Sequence, residues 1–210
     1  MGQAIETPAG AGYNESSGSK LPSGAFHAGR SGSQGPPVMD LKVCVRPERE
    51  ADAAAMRAIH EQAFPTLSEA RLVELLRARR KIVVSLVAEA EGRVVGHILF
   101  SRVCVSSASI TMGAGLAPLA VLPTHEGRGI GSLLVRRGLA ACRRAGQPFA
   151  VVLGAPAFYR RFGFRRASEF GLGNEYGVDE EFMVVELRPG GLPEGGGLVK
   201  YASEFAEVDV

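Results

Sequence analysis

The sequence predicts an α+β domain, with a mixed, mostly antiparallel central sheet that carries one βαβ unit. Three observations lead there. Residues 82–90 and 93–104 are strand-like runs joined at Glu91-Gly92, a pairing that suits a tight hairpin turn. A hydrophobic run ending at Pro123 enters the loop Gly127-Arg128-Gly129-Ile130-Gly131-Ser132, then a helical pattern to about Ala145, then the apolar run 149–153. That run, apolar at every position, fits a strand buried on both faces and parallel to the one before the helix. Finally, the element order is strand, two helices, three strands, helix, strand, helix, strands, with no internal repeat.

The elements follow from the chain in order. Leu41-Lys42-Val43-Cys44-Val45-Arg46 alternates and stops at Pro47, a first strand. From about Ala51 to Phe64, Met56, Ile59 and Ala63 recur at helical spacing, and Pro65 closes that helix. Thr66 and Glu69 have capping-box spacing ahead of a second helix to about Arg80, whose buried stripe is Leu72, Leu75 and Leu76. After the hairpin, residues 106–113 are small and polar enough for a loop, and residues 115–121 form a strand containing Pro118. Proline donates no ladder hydrogen bond, so Pro118 implies a bulge, an edge or a point where strands separate. The helix after the glycine loop should bury Ile130, Leu134, Gly138, Ala141 and Ala145 and turn Arg136, Arg137, Arg143 and Arg144 to solvent. A short helix near 157–161, a sharp Gly163 and a last strand over 182–187 complete the domain.

Composition sets the limits. The 210 residues make room for one ordinary domain, taken as 39–188, and 24 Lys and Arg against 22 Asp and Glu leave no footprint for nucleic acid or an anionic membrane. Cys44, Cys104 and Cys142 lie far apart in apolar patterns and read as buried thiols in a reducing, cytoplasmic compartment. His27, His60, His97 and His125 show no ligand spacing, so no metal is expected. Residues 1–38 are rich in Gly, Ser, Pro and Ala, with no apolar run long enough for a signal peptide or membrane span, and read as a disordered leader. Met39 stands immediately before the first strand, which suggests that the native chain starts there. Residues 189–210 are a C-terminal extension expected to pack on or near the domain. The sequence carries no signal for oligomeric state, and a homodimer stays open.

The glycine loop is the candidate site. Glycines at alternate positions let successive N–H groups point into one concavity, and the following helix adds the positive end of its dipole, which suits a phosphate or pyrophosphate. A dinucleotide fingerprint wants a glycine where Ser132 stands and an acidic residue after the next strand, where Gly154-Ala155 stands. A Walker A loop wants Gly-Lys-Ser/Thr, which does not follow.

Leu119-Ala120-Val121-Leu122-Pro123, the loop from Glu126 to Gly131, and Ala157-Phe158-Tyr159-Arg160-Arg161-Phe162-Gly163-Phe164 together resemble the GNAT superfamily of acetyl-CoA-dependent N-acetyltransferases. Within it, Val151-Val152-Leu153-Gly154, Arg161-Phe162-Gly163-Phe164 and the run 182–187 resemble the YhbS-like bacterial group. The resemblance implies a sheet splayed between the fourth and fifth strands, with the pantetheine arm of acetyl-CoA on the exposed backbone of Leu119, Ala120 and Val121. It places the pyrophosphate on amides of Gly127, Arg128, Gly129, Ile130, Gly131 and Ser132, and matches Tyr159 to the tyrosine that protonates the departing thiolate. Two positions depart from the pattern. Glu126 stands where Gln or Arg is usual, so it should turn outward and contribute its backbone at most, and Gly154-Ala155-Pro156 offers no asparagine after the strand.

The implied reaction is attack by a neutral amine on a thioester. An alkyl amine of pKa ~10.4 must lose a proton, whereas a thiol of pKa ~8.5 makes a tolerable leaving group. The general base is not readable: Glu89 and His97 lie on the hairpin strands, His60 is in line with Met56 and Phe64 on the first helix and reads as edge packing, and Asp179, Glu180 and Glu181 read as a solvated turn. Three classes remain at this stage: an N-acetyltransferase acting on a primary amine of a small molecule, peptide or protein; an acyl-CoA-binding module without turnover; and a glycine-loop nucleotide-binding protein of another kind.

Overall fold

The computed structural model describes residues 42–106 and 111–208. The expected leader 1–38, the Met39 start and part of the expected 106–113 loop lie outside them. In chain order the elements are β1 (Val43–Pro47), α1 (Ala53–Ala63), α2 (Ser68–Ala78), β2 (Ile82–Ala90), β3 (Arg93–Ser106), β4 (Thr111–Val121), α3 (Ile130–Arg144), β5 (Phe149–Leu153), α4 (Pro156–Tyr159), β6 (Arg165–Arg166), β7 (Leu172–Asn174), β8 (Phe182–Glu186) and β9 (Gly197–Lys200). The strands lie in the order β1-β2-β3-β4-β5-β8-β6, while β9 pairs with β3 and β7. Among the described residues only β4–β5 and β7–β9 are parallel. The mixed, mostly antiparallel sheet and its βαβ unit are therefore as the sequence predicts.

The hairpin turn is tight because both of its residues take positive φ, +50° at Glu91 and +74° at Gly92, with Ala90 facing Arg93 directly. Two faces of the sheet then bury two apolar layers. Gly96, Ile98 and Phe100 of β3 look toward α3, where Gly138 leaves room for the Phe100 ring. Leu99, Val103 and Val105 look the other way, into a layer built with Leu72, Val73 and Leu76 of α2 and with Val199, Tyr201 and Phe205 of the C-terminal segment.

Several expectations are corrected. Only Cys142 is buried; Cys44 is exposed and Cys104 half-buried, and all three thiols are free. Burial pushes the Cys142 thiol up to about 12. Alternation alone does not say which strand face is covered, and Cys44 sits on the uncovered side of edge strand β1. Strand pairing reaches into the expected loop, through Ser106 on β3 and from Thr111 on β4. Along α3 the buried set includes Val135, Leu139 and Cys142, whereas Ala141 is half-buried and Ala145 exposed; the four arginines are exposed as expected. The capping pair is displaced too. Thr66 Oγ1 donates to Glu69 Oε2 at 3.2 Å and accepts from the Ser68 amide at 3.3 Å, while α2 itself begins at Ser68.

Candidate active site

The site begins with an interruption in β4. Ile98 of β3 faces Leu119, yet Phe100 faces Leu116, so Ala117 and Pro118 together face Leu99 and form a bulge. The parallel ladder to β5 pairs residues 114–116 with 150–152 and stops there. Beyond the bulge, Leu119, Ala120 and Val121 pair only with β3, which leaves their other backbone edge open. Pro118, read from sequence as a break in pairing, marks the point where the fourth and fifth strands part.

The chain leaves β4 through a 3₁₀ turn, Pro123–His125, and enters the glycine loop. Gly127 and Gly129 hold φ of +71° and +80°, a left-handed backbone that glycine adopts without Cβ strain, and Gly129 caps α3. Among the described residues, the amides of residues 127–132 donate to no backbone carbonyl; the first α-helical bond is Leu133 N–H to Gly129 O at 3.0 Å. The N-terminus of α3 thus presents a run of amides without backbone acceptors beside the open strand edge.

Strand edge and loop enclose a cavity of about 260 Å³. Of the residues expected from sequence, Leu119, Ala120, Val121, Gly127, Gly129, Ile130, Gly131 and Ser132 line it. Arg128 and Tyr159 do not; Arg128 is exposed, and Tyr159 is 1% exposed. The Tyr159 ring packs edge-on against Phe158 and Phe164, with centroids 5.0 and 5.5 Å away. Its hydroxyl has no hydrogen-bond partner, and burial, with the nearby Tyr201 phenol, holds it above its ordinary pKa.

Comparison with known proteins decides the family. The family described as "Acetyltransferase (GNAT) domain" matches residues 44–167. The chain belongs to the GNAT acetyltransferase family. It is 36% identical over 163 residues to YhbS of Escherichia coli K12, called an uncharacterized N-acetyltransferase, covering 77% of this chain and 97% of that one. The crystal structure of E. coli YhbS in complex with CoA superposes with a TM-score of 0.75 at 34% identity, covering 83% of this chain and 96% of that one. A GNAT acetyltransferase from Brucella melitensis in complex with acetyl-CoA gives 0.65 at 36% identity, covering 78% and 98%.

Seen as a GNAT acetyltransferase, the chain has cavity residues that the sequence reading passed over: Ala63 from α1, His125, Phe158 and Arg161, while Glu126 is half-buried in the wall. Phe158 and Arg161 are three apart, so one helical face carries both, and that spacing was available as a signal. The Arg161 guanidinium lies 4.6 Å over the Phe158 ring, and its Nε donates to Phe158 O at 3.1 Å, which fixes a cation at the mouth. Nothing in the local sequence announces Ala63; the packing of α1 on β4 brings it in. Among the base candidates, Glu89 accepts from Arg46 at 2.9 Å and is engaged. Asp179 and Glu180 form exposed ion pairs with Arg166 at 3.6 and 3.9 Å. His60 and His97, separated by α1 and β3, meet in the interior with Nε2 and Nδ1 2.8 Å apart. Among the described residues no group of three or more side chains could hold a metal, and no helix is long and apolar enough to cross a membrane.

Proposed function

We propose that this GNAT acetyltransferase uses acetyl-CoA as donor and transfers the acetyl group to a primary amine of a small molecule, peptide or protein by direct attack on the thioester. The observation that carries the reading is the open edge of Leu119, Ala120 and Val121 beside the amides of residues 127–132, which meet no backbone carbonyl, at one cavity. Those amides and the α3 dipole suit the pyrophosphate, and Arg161 adds a cation near the same mouth. The open strand edge supplies donors and acceptors to the amide groups of the pantetheine arm, as a neighbouring strand would. Two relatives of high coverage were solved with CoA or acetyl-CoA bound, which supports the same donor here.

In the reaction the amine lone pair forms the C–N bond, the C–S bond breaks, and its electron pair leaves as the thiolate of CoA. Holding both reactants in one cleft supplies much of the acceleration, and a backbone N–H of the open strand can meet the developing oxyanion. Tyr159 is the proposed proton donor to the thiolate. Its hydroxyl is buried behind the cavity lining with no partner, so donation requires that bound CoA open a path to it past Phe158.

Two measurements test this. CoA and acetyl-CoA should raise the melting temperature where a nucleoside triphosphate does not, and thiol should be released from acetyl-CoA with at least one member of an amine panel. Gly129→Val should abolish the CoA-induced shift, since Val has no room in its torsional range for φ +80°. Stabilisation by a nucleoside triphosphate alone would overturn the donor assignment.

A further inference from the structure

Beneath the splayed strand runs a polar chain, buried at its two histidines and half-buried beyond them, whose residues do not line the cavity. His60 Nε2 and His97 Nδ1 are 2.8 Å apart, His97 Nε2 and Ser85 Oγ are 2.8 Å apart, and Ser85 Oγ donates to Glu48. Glu48 in turn accepts two bonds from Arg77, at 3.1 and 2.8 Å. With both rings neutral, donor counting fixes every role. The carboxylate only accepts, so the serine proton points to Glu48 and Ser85 Oγ accepts from His97 Nε2–H. His97 Nδ1 is then a bare acceptor, which His60 Nε2–H fills. His60 Nδ1 is left as an unprotonated lone pair, and it is buried with no partner.

We propose that Glu48, Ser85, His97 and His60 form a proton relay for acetyl transfer, with His60 Nδ1 as the end that meets the attacking amine, directly or through one water. The proposal rests on the acetyl-transfer reading above. Its place in the fold supports it. His97 is the cross-strand partner of Ala120, and Ala63, one helical turn beyond His60, lines the cavity with Ala120. His60 also lines a crevice of about 40 Å³ between α1 and α2, together with Arg57, Glu74 and Arg77, room for a water or an ammonium head. As the C–N bond forms, the amine proton passes to His60 Nδ1 and the Nε2 proton of His60 passes to His97 Nδ1. The charge then rests on His97, whose Nε2 lies 3.6 Å from Glu48, and not on His60, which has no carboxylate as close among the described residues. The proton returns to solvent by the same path when the product leaves. Burial holds both histidines neutral beforehand; the nearness of His97 and of the Arg77 charge adds to this for His60, and Glu48 works against it for His97. The charged groups that face the pair are Glu48 before α1, Arg57 on α1, and Glu74 and Arg77 on α2.

The test uses the full chain. With ¹⁵N-histidine labelling, long-range ¹H–¹⁵N spectra at pH 7 should show both rings neutral and protonated at Nε2, assigned through His60→Gln and His97→Gln. A ring of His97 protonated at Nδ1 overturns the relay. In thiol release from acetyl-CoA with an amine panel, His60→Gln and Ser85→Ala should each lose at least tenfold in kcat and move the acidic limb of the pH profile, with the CoA-induced melting shift retained and Ser85→Thr restoring the rate. Wild-type rate and pH profile in both variants overturn the relay alone. A wild-type chain that acetylates no amine overturns the acetyl-transfer reading and the relay with it.

Discussion

Two alanine substitutions two residues apart should move stability in opposite directions. Gly131 lies at the second position of α3 with ordinary helical torsions, and a Cβ there would sit 3.7 Å from Phe158, 3.9 Å from Val121 and 4.0 Å from Leu119, all comfortable contacts. Gly131→Ala therefore gains about 0.5–1 kcal/mol of helix propensity with no clash. Gly129 has nothing within 4 Å of its would-be Cβ, so crowding is not its constraint. Its φ of +80° is, and an alanine held there costs about 1–2 kcal/mol. The two variants should then differ by about 1.5–3 kcal/mol, which for a chain of this length separates their melting temperatures by about 3–12 °C. Thermal melts with and without CoA read both consequences. Gly131→Ala sets its methyl among Phe158, Val121 and Leu119, which line the cavity, so it should be the more stable variant without CoA yet keep only part of the CoA-induced shift, whereas Gly129→Ala relieves strain by turning the peptide and should lose most of it. Equal stability of the two variants would refute the argument from loop geometry. A full CoA shift in Gly129→Ala would refute the assignment of the amides as the phosphate ligands.

Three further outcomes are expected. Gly138→Ala places a methyl 2.4 Å from Cε2 and 3.0 Å from Cζ of the buried Phe100, so overpacking of about 1–3 kcal/mol outweighs the helix gain, and the denaturant midpoint should fall; an unchanged midpoint removes Phe100 from that contact. Tyr159→Phe removes a buried hydroxyl with no partner, so melting temperature should hold or rise slightly and CoA affinity should stay, while turnover falls; undiminished turnover would leave Tyr159 as packing alone. Stability should drop as pH falls below about 6.5, because His60 and His97 have depressed values in the fold and the unfolded chain binds their protons first, with a slope of up to about 1.4 kcal/mol per pH unit for each. Burial raises Glu48, but the nearby His97 and the bonds from Arg77 and Ser85 together outweigh it and lower Glu48 to about 2, so its contribution is intact in that window and is lost only below pH ~4.5. Denaturation at pH 7.5 and 5.5 should show the drop in wild type and much less of it in His60→Gln/His97→Gln; equal drops would contradict the buried neutral pair.

What the sequence made legible was what local chemistry dictates. The Glu91-Gly92 turn, the break at Pro118 and the amide-rich start of α3 each follow from residues within a few positions of one another. The C-terminal strand does not. Gly197–Lys200 follows a glycine-rich stretch with weak strand character of its own, and it is held by the edge of β3 at residues 104–106, beyond the end of β2. Its consequence is large, since Tyr201 and Phe205 then roof the α2 face of the sheet.

The relay shows why a site can be invisible even when its strands are read correctly. A two-residue turn that pairs Ala90 with Arg93 sets a register in which Ser85 faces Ile98, and Ser85 and His97 then point to opposite sides of the sheet. In the fold, Glu89 faces Val94 but Ala88 faces Gly96, so Val95 is an extra residue and the pairs from Ala88–Gly96 to Val84–Phe100 shift by one. Ser85 now faces Leu99, and His97 faces Val87 on the same side as Ser85, toward α1 and His60. One bulged residue thus converts two unrelated strand positions into hydrogen-bonded neighbours. Because it also turns Gly96 toward Ile130 and Leu134 of α3, the shift that assembles the polar chain on one face is the same shift that lets the glycine-loop helix close on the other.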